Sequence, residues 1–155
     1  MTCPRCQGTL QSGSFGEAPV HMCDGCASVL VAIQHNIPML TQLGAGLTDA
    51  DLQAPIDVHH TDEGVRPCPK CHAPMESFPY MGVKAVTLDR CGPDRLLFLD
   101  VEEVTAAATL LIRTQRRVDE RRAENEAHLQ NMEETADLAR VRMRGRMRMN
   151  FKILS

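Results

Sequence analysis

Two pairs of cysteines with the spacing Cys-x2-Cys dominate the start of the chain. They are Cys3 and Cys6, then Cys23 and Cys26 after sixteen intervening residues. The spacing lets a tight turn aim two thiolates at one ion, and two such turns complete the tetrahedral shell that zinc prefers. We therefore predict one closed structural zinc site here, because two tandem Cys-x2-Cys pairs are rarely redox-active or unrelated thiols.

The pattern returns later in the chain with one ligand changed. Cys68 and Cys71 are followed, after nineteen residues, by Cys91, and Asp94 stands where the repeat predicts a fourth cysteine. A carboxylate is also a zinc ligand, so Asp94 is the first candidate to complete a second site. A histidine ligand and a metal-free site remain open as alternatives, the candidate histidines being His59, His60 and His72.

The cysteine count and the composition fit a metal-dependent fold. Seven cysteines cannot all pair as intramolecular disulfides, whereas seven thiolates and Asp94 make eight ligands for two zinc ions. Only 3% of the residues are aromatic, and each cysteine unit spans about 40 residues, a length at which domains usually need a metal or disulfides. We expect zinc, rather than apolar burial, to hold these two units.

Neither a secretory signal nor a membrane span is apparent in the sequence. The N-terminus lacks a basic stretch followed by an apolar one, and the longest apolar runs, such as 29–33, fall far short of the ~18–20 residues that a span requires. We expect a soluble protein of the reducing cytoplasm that makes no membrane contact. In that compartment, closely spaced cysteines are more often metal ligands than disulfides.

Repeats and charge divide the chain into five segments. Residues 1–43 and 66–100 form the two zinc units, and a linker rich in Gly, Asp, Thr and Pro, with room for one short helical turn, joins them at 44–65. A long helix is predicted over 101–139, and 140–155 form a basic tail with six basic and no acidic residues.

The helix is predicted from its capping residues and its apolar spacing. Asp100 and Glu103 have the spacing of a capping box, and neither Pro nor Gly follows until Gly145. Apolar residues recur in a seven-residue pattern at Val101, Val104, Ala108, Leu111, Val118, Leu129, Met132, Ala136, Ala139 and Met143. We expect Val101, Val104, Leu111 and Ile112 to pack on the second zinc unit. Beyond Gln115 we expect a coiled coil with a second copy or another protein, or a helix supported by its own charge pairs.

The basic tail alternates arginine with small or apolar residues. Five arginines can contact phosphates, so nucleic acid is a candidate partner of this segment. The alternatives are a disordered solubilising tail and a tail that docks on the acidic body of another copy. Aromatic residues that would stack on bases are nearly absent, which disfavours sequence-specific single-strand recognition. The arginines are Arg140, Arg142, Arg144, Arg146 and Arg148.

Residues 66–104 contain a longer motif around the second ligand set. It runs Cys68-Pro69-x-Cys71, then Gly82-Val83, then Asp89-Arg90-Cys91-x2-Asp94-x3-Phe98-Leu99-Asp100-x2-Glu103-Val104. This motif resembles the transcription factor IIB-type zinc ribbons of small bacterial proteins. The family usually has Cys at position 94 and Trp at position 98. The first copy keeps all four cysteines but has Leu30 at the Trp position and Ala32 where the family has Asp.

The resemblance implies a small zinc-dependent α+β fold. Two tandem zinc ribbons, each built on short antiparallel β-hairpins, would be followed by the long C-terminal α-helix. By analogy we expect a non-enzymatic, two-zinc adaptor connected with transcription, which binds a protein partner or a second copy through the helix. Motifs of zinc peptidases, serine hydrolases and phosphate-binding loops are absent, in keeping with a protein that is not an enzyme.

Overall fold

The described part of the chain folds into six strands, three α-helices and one 3₁₀ turn. The computed structural model describes residues 1–56, 58 and 64–151, with side chains in the last helix as far as Arg146. In chain order the elements are β1 Leu10–Phe15, β2 Ala18–Cys23, β3 Val29–Ala32, α1 Ile33–Gly44, α2 Asp49–Gln53, β4 Glu76–Pro79, the 3₁₀ turn Tyr80–Gly82, β5 Thr87–Cys91, β6 Leu96–Leu99 and α3 Val101–Phe151. The chain forms two compact units, the first being Met1–Thr114 and the second beginning at Gln115.

A hairpin of β1 and β2 begins the first unit. Its strands are antiparallel, with Leu10 opposite Cys23 and Phe15 opposite Ala18. The two-residue turn between them contains Gly16 at φ +56°, in the left-handed region that glycine enters without a Cβ clash. In the second half of the sheet, β4 and β5 are antiparallel in the same way. Cys23 and Cys91 therefore occupy equivalent places, each at the end of its strand.

All six strands belong to one antiparallel sheet, in the order β1-β2-β3-β6-β5-β4. The two sequence repeats meet at the centre, where β3 pairs with β6 and Val29 lies opposite Leu99. The predicted α+β class, with an antiparallel sheet and a long C-terminal helix, is confirmed. The structure differs from the sequence analysis in how the repeats relate, because they share one sheet rather than forming two separate small units.

The central strands bury apolar side chains on both faces of the sheet, since successive residues of a strand point to opposite sides. On one face, Val31 and Leu97 pack with Met39 and Leu40 of α1 and with Ala107 of α3 in a single buried cluster. This cluster draws on both repeats and both long helices. Apolar burial therefore contributes more to this fold than the composition suggests.

The opposite face of the same strands carries the cysteines. Leu30 of β3 and Phe98 of β6 are buried there, together with Leu10 and Met75. Four cysteines belong to the same cluster, namely Cys3, Cys23, Cys68 and Cys91. One side of the sheet thus faces the helices and the other faces both groups of candidate metal ligands.

The segment predicted as a linker contains the short helix α2. Thr48 caps it, because the Thr48 hydroxyl accepts a hydrogen bond from Asp51 N at 3.2 Å and Thr48 N donates to Asp51 Oδ2 at 2.8 Å. Arg113 of α3 donates to the carbonyl oxygens of Leu52 and Ala54, which joins the end of α2 to α3 within the first unit. His59 and His60 lie outside the described residues.

The start of α3 packs against both repeats. Glu103 Oε2 accepts a hydrogen bond from Asp100 N at 2.7 Å, as the predicted capping box requires. Leu111 is buried in the core and Val104 packs against it. Ile112 contacts α1 of the first repeat, where a Cβ on Gly44 would lie 2.4 Å from Ile112 Cγ1. Val101, in contrast to expectation, is 45% exposed.

The second unit consists of the remainder of α3. The helix continues through the predicted boundary at residue 139 as far as Phe151, so the described part of the basic segment is helical. Side chains from Val118 to Met143 that the heptad pattern groups together are exposed, including Leu129 and Met132. Among the described residues, no helix combines the length and the apolar character of a membrane span.

Candidate metal centres

The four cysteines of the first repeat converge on one point. Cys3 Sγ lies 3.7 Å from Cys26 Sγ, and Cys6 Sγ lies 3.3 Å from Cys23 Sγ. All four sulfur atoms are within 4.8 Å of one another, although the cysteines come from two turns far apart in sequence. Cys3 and Cys23 are buried, while Cys6 is exposed. The structure thus brings together the four residues that the spacing predicts as one site.

Each turn of this group has the backbone shape of a metal knuckle. The residues after the second cysteines, Gln7 and Ala27, have φ values of 64° and 56°. The amide of Gly8 donates to Cys6 Sγ, and that of Gly25 to Cys23 Sγ, both at 3.4 Å. A Cβ on Gly8 would lie 3.1 Å from Cys23 Sγ, so glycine gives the sulfurs room to come together.

The second group consists of three cysteines and one carboxylate. Cys71 Sγ lies 3.5 Å from Cys91 Sγ, and Asp94 Oδ2 lies 3.7 Å from Cys68 Sγ and 3.8 Å from Cys91 Sγ. The four ligand atoms are again within 4.8 Å of one another. The structure therefore places Asp94 where the repeat predicts a fourth ligand.

Backbone geometry supports the equivalence of Asp94 with a cysteine. His72 and Arg95, which follow the second ligands of this group, have φ values of 63° and 54°, so all four turns share the left-handed residue. Cys68 N donates to Ala73 O at 2.8 Å, matching the bond from Cys3 N to Gly8 O at 2.8 Å. His72 is the left-handed residue that directly follows Cys71. It is not one of the four residues whose ligand atoms converge in the second group.

The distances fit a tetrahedral ion. With bonds of ~2.3 Å, the sulfurs of a tetrahedral site lie ~3.8 Å apart, and an oxygen bonded at ~2.0 Å lies ~3.5 Å from each sulfur. The sulfur pairs at 3.3, 3.5 and 3.7 Å and the sulfur–oxygen pairs at 3.7 and 3.8 Å are all close to these values. Each group could therefore hold one metal ion.

The electrostatics differ within the first group. Burial raises the pKa of Cys3 to about 12. Burial also acts on Cys26, but its hydrogen bonds with the side chain and the backbone of Ser28 outweigh it, and the pKa of Cys26 is lowered to about 7. Since a metal binds the thiolate, Cys26 is more readily ionised for it than Cys3 is.

In the second group, Asp94 has partners on both carboxylate oxygens. Its Oδ1 pairs with Lys70 Nζ at 2.9 Å, which leaves Oδ2 directed at the sulfurs. The pKa of Asp94 is lowered, first by the Cys71 thiol and then by the Lys70 ammonium group. The same contact with Asp94 raises the pKa of Cys71 to about 12. Asp94 is therefore ionised at neutral pH, as a ligand must be.

A polar network extends from Cys26 of the first group through Asp100 to Arg66 and Asp89 of the second repeat. Ser28 Oγ donates to Asp100 Oδ1 at 3.1 Å and lies 3.1 Å from Cys26 Sγ. Arg66 donates to Asp100 Oδ2 at 3.1 Å and to Asp89 Oδ2 at 3.0 Å. Arg5, within the first knuckle, pairs with Asp100 Oδ1 at 3.4 Å. Sequence reasoning predicts only a capping role for Asp100 and misses this network, because its contacts join residues far apart in the chain; the Ser28–Asp100 bond alone spans 72 residues.

The arginines predicted to contact nucleic acid are exposed but do not share a face. Arg140 and Arg144 lie four residues apart on one side of α3, and Arg142 and Arg146 lie on another. The Arg148 side chain lies outside the part of the helix whose side chains are described. The helix therefore divides the positive charge between two sides.

Comparison with known proteins finds no match for this chain, whether among protein-family models, curated proteins or solved structures.

Proposed function

We propose that this chain is a non-enzymatic zinc protein whose two ions stabilise one antiparallel sheet and whose long helix contacts another protein chain. The observation that carries the proposal is the convergence of eight ligand atoms into two groups of four. Each group joins two turns that are distant in sequence. In each repeat, one Cys-x2-Cys turn comes before a β-hairpin and the other ligand pair lies at the end of the hairpin's second strand. A metal ion bound by all four ligands would therefore crosslink the two ends of the hairpin.

Zinc is the metal best suited to these donors. Four thiolates, or three thiolates and one carboxylate, in a tetrahedral arrangement favour zinc over the hard cations magnesium and calcium, which prefer six or more oxygens. Structural zinc sites of this kind contribute on the order of 10–16 kcal/mol of apparent binding free energy to folding.

A structural role follows from the number of protein ligands. Catalytic zinc sites generally keep one position for water or substrate, with three protein ligands around the ion. Here each group supplies four, including Asp94 at the second. This supports a protein that works by binding rather than by catalysis.

The likeness to transcription factor IIB-type zinc ribbons supports a connection with transcription, by analogy alone. It makes RNA polymerase the first protein partner to test. The exposed apolar residues of α3, among them Leu129 and Met132, support contact through the helix.

Elemental analysis of the purified chain tests the metal proposal. We expect two zinc ions per chain, and we expect a chelator to abolish the cooperative unfolding transition. One zinc ion, or none after folding in excess zinc, would contradict it.

The partner is tested separately by equilibrium binding of the full chain to purified RNA polymerase. Binding should weaken in the double variant Leu129→Glu, Met132→Glu, which replaces two exposed apolar side chains of α3 with charged ones. Absence of binding would refute the transcription link and leave the zinc sites unaffected.

Nucleic acid binding through α3 is the second candidate, favoured by the exposure of four arginines from Arg140 to Arg146. It predicts affinity for a DNA duplex that falls steeply with salt and disappears on truncation after Ala139. Affinity that truncation leaves unchanged would refute it.

A further inference from the structure

The exposed part of α3 carries an apolar stripe. Leu129, Met132 and Met143 are 61%, 55% and 67% exposed, and Ala136 and Ala139 are exposed as well. The alternating spacing of three and four residues places all five on one side of the helix, as in a coiled coil. A helix with such a stripe gains stability when another helix covers it.

Charge along this part of the helix falls into two opposite blocks. Residues 124–137 include five acidic and no Lys or Arg residues, whereas 138–148 include five arginines and no acidic ones. Two parallel copies would set acid beside acid and arginine beside arginine. Two antiparallel copies set each block against its opposite, so charge favours the antiparallel arrangement.

We propose that α3 pairs with α3 of a second copy as an antiparallel coiled coil, with its twofold axis between Ala136 and Ala139. In this register Ala136 packs on the partner's Ala139 and Met132 on the partner's Met143. Leu129 then meets the aliphatic stem of the partner's Arg146. The proposal rests on the helix-mediated contact proposed above and names its occupant as a second copy of this chain.

The flanking charges agree with the same register. Glu133 and Arg140 are seven residues apart, on one flank of the stripe and on opposite sides of the twofold axis. Each Glu133 therefore faces the partner's Arg140, which gives two symmetric ion pairs. In the single chain, Arg140 pairs with Asp137 at 3.2 Å across one helical turn. In a parallel pair, Glu133 and Arg140 would lie ~10 Å apart along the axis and would not meet.

Reversing the side-chain charge at Glu133 or at Arg140 tests the antiparallel arrangement. Sedimentation equilibrium of the full, zinc-loaded chain should show a dimer. Glu133→Arg and Arg140→Glu should each raise the dimer dissociation constant at least about tenfold, because two attractive pairs become repulsive. An equimolar mixture of the two variants should recover the dimer as a heterodimer. Glu134→Arg, the same charge change on another side of the helix, is the matched control and should have no such effect.

Three results would overturn the proposal. The first is a monomeric wild-type chain across the concentration range. The second is a dimer whose dissociation constant neither Glu133→Arg nor Arg140→Glu raises. The proposal also fails if the equimolar mixture of these two variants does not form a heterodimer while circular dichroism shows the helix intact. Zinc content is measured on the same samples, so a failure of the helix pairing is distinguished from a failure of the metal sites.

Discussion

Leu30 and Phe98 lie directly opposite each other across the pairing of β3 with β6, and both are almost fully buried. They belong to one cluster with cysteines of both candidate metal groups, among them Cys3 and Cys68. A single cross-strand pair thus fills the space on the cysteine face where the two repeats meet. Each repeat consequently depends on the other for its packing.

Truncation of Phe98 should destabilise the whole sheet. We expect Phe98→Ala to lower the free energy of unfolding by about 3–5 kcal/mol, because it leaves a cavity beside Leu30. Amide hydrogen exchange should speed up in β2 as well as in β5, since both halves unfold together. Val65→Ala, at a 73% exposed site, is the control and should change neither. Faster exchange confined to β5 would indicate two independent units.

Asp94 should be required for the second metal ion. We expect Asp94→Ala to lower zinc affinity there at least about a hundredfold, because the site loses one of four ligands, and to leave the first site unchanged. Competition with a chromophoric chelator measures both sites. The control is His72→Asn, which removes the alternative ligand while keeping a residue that tolerates the left-handed conformation. Loss of the second zinc ion in this control alone would assign the ligand to His72.

Ser28 should link metal binding to the start of α3. Ser28→Ala removes the donor to Asp100 and the hydroxyl beside Cys26, so we expect unfolding to cost about 1–2 kcal/mol less and the first zinc ion to bind more weakly. Urea denaturation and chelator competition measure the two effects. Ser12→Ala, at an exposed hydroxyl, is the comparison. If Ser12→Ala lowers the free energy of unfolding and the zinc affinity as much as Ser28→Ala does, Ser28 does not link metal binding to the start of α3.

Glu103 should make stability depend on pH. Burial is the largest cause that raises the pKa of the Glu103 carboxyl to about 7 in the folded chain. In the unfolded chain its pKa is the ordinary value of 4.5. Its folded form therefore holds a proton that the unfolded form has lost, and this stabilisation disappears as pH rises through 7. Relative to Glu103→Gln, the zinc-loaded wild type should lose about 1 kcal/mol between pH 6 and pH 8. A constant difference in urea denaturation across that range would contradict the assignment.

The features that the sequence predicted correctly are those set by short, fixed intervals between residues. The two groups of candidate ligands and the start of α3 follow from fixed intervals, and each ligand group lies where those intervals place it. The sequence did not predict that β3 pairs with β6. The likeness aligned Leu30 and Phe98 as equivalent positions of two copies, but a repeat says nothing about contact between its copies. Long-range hydrogen bonds such as Ser28 to Asp100 leave no periodic signal.

X-ray absorption at the zinc edge measures the two proposed ligand sets themselves. For the chain loaded with two zinc ions, we expect seven sulfur ligands at ~2.3 Å and one oxygen at ~2.0 Å, shared between the two ions. Asp94→Ala should remove the oxygen together with the second ion. A shell with nitrogen in place of that oxygen, or with fewer than seven sulfurs per two ions, would contradict the ligand sets described here.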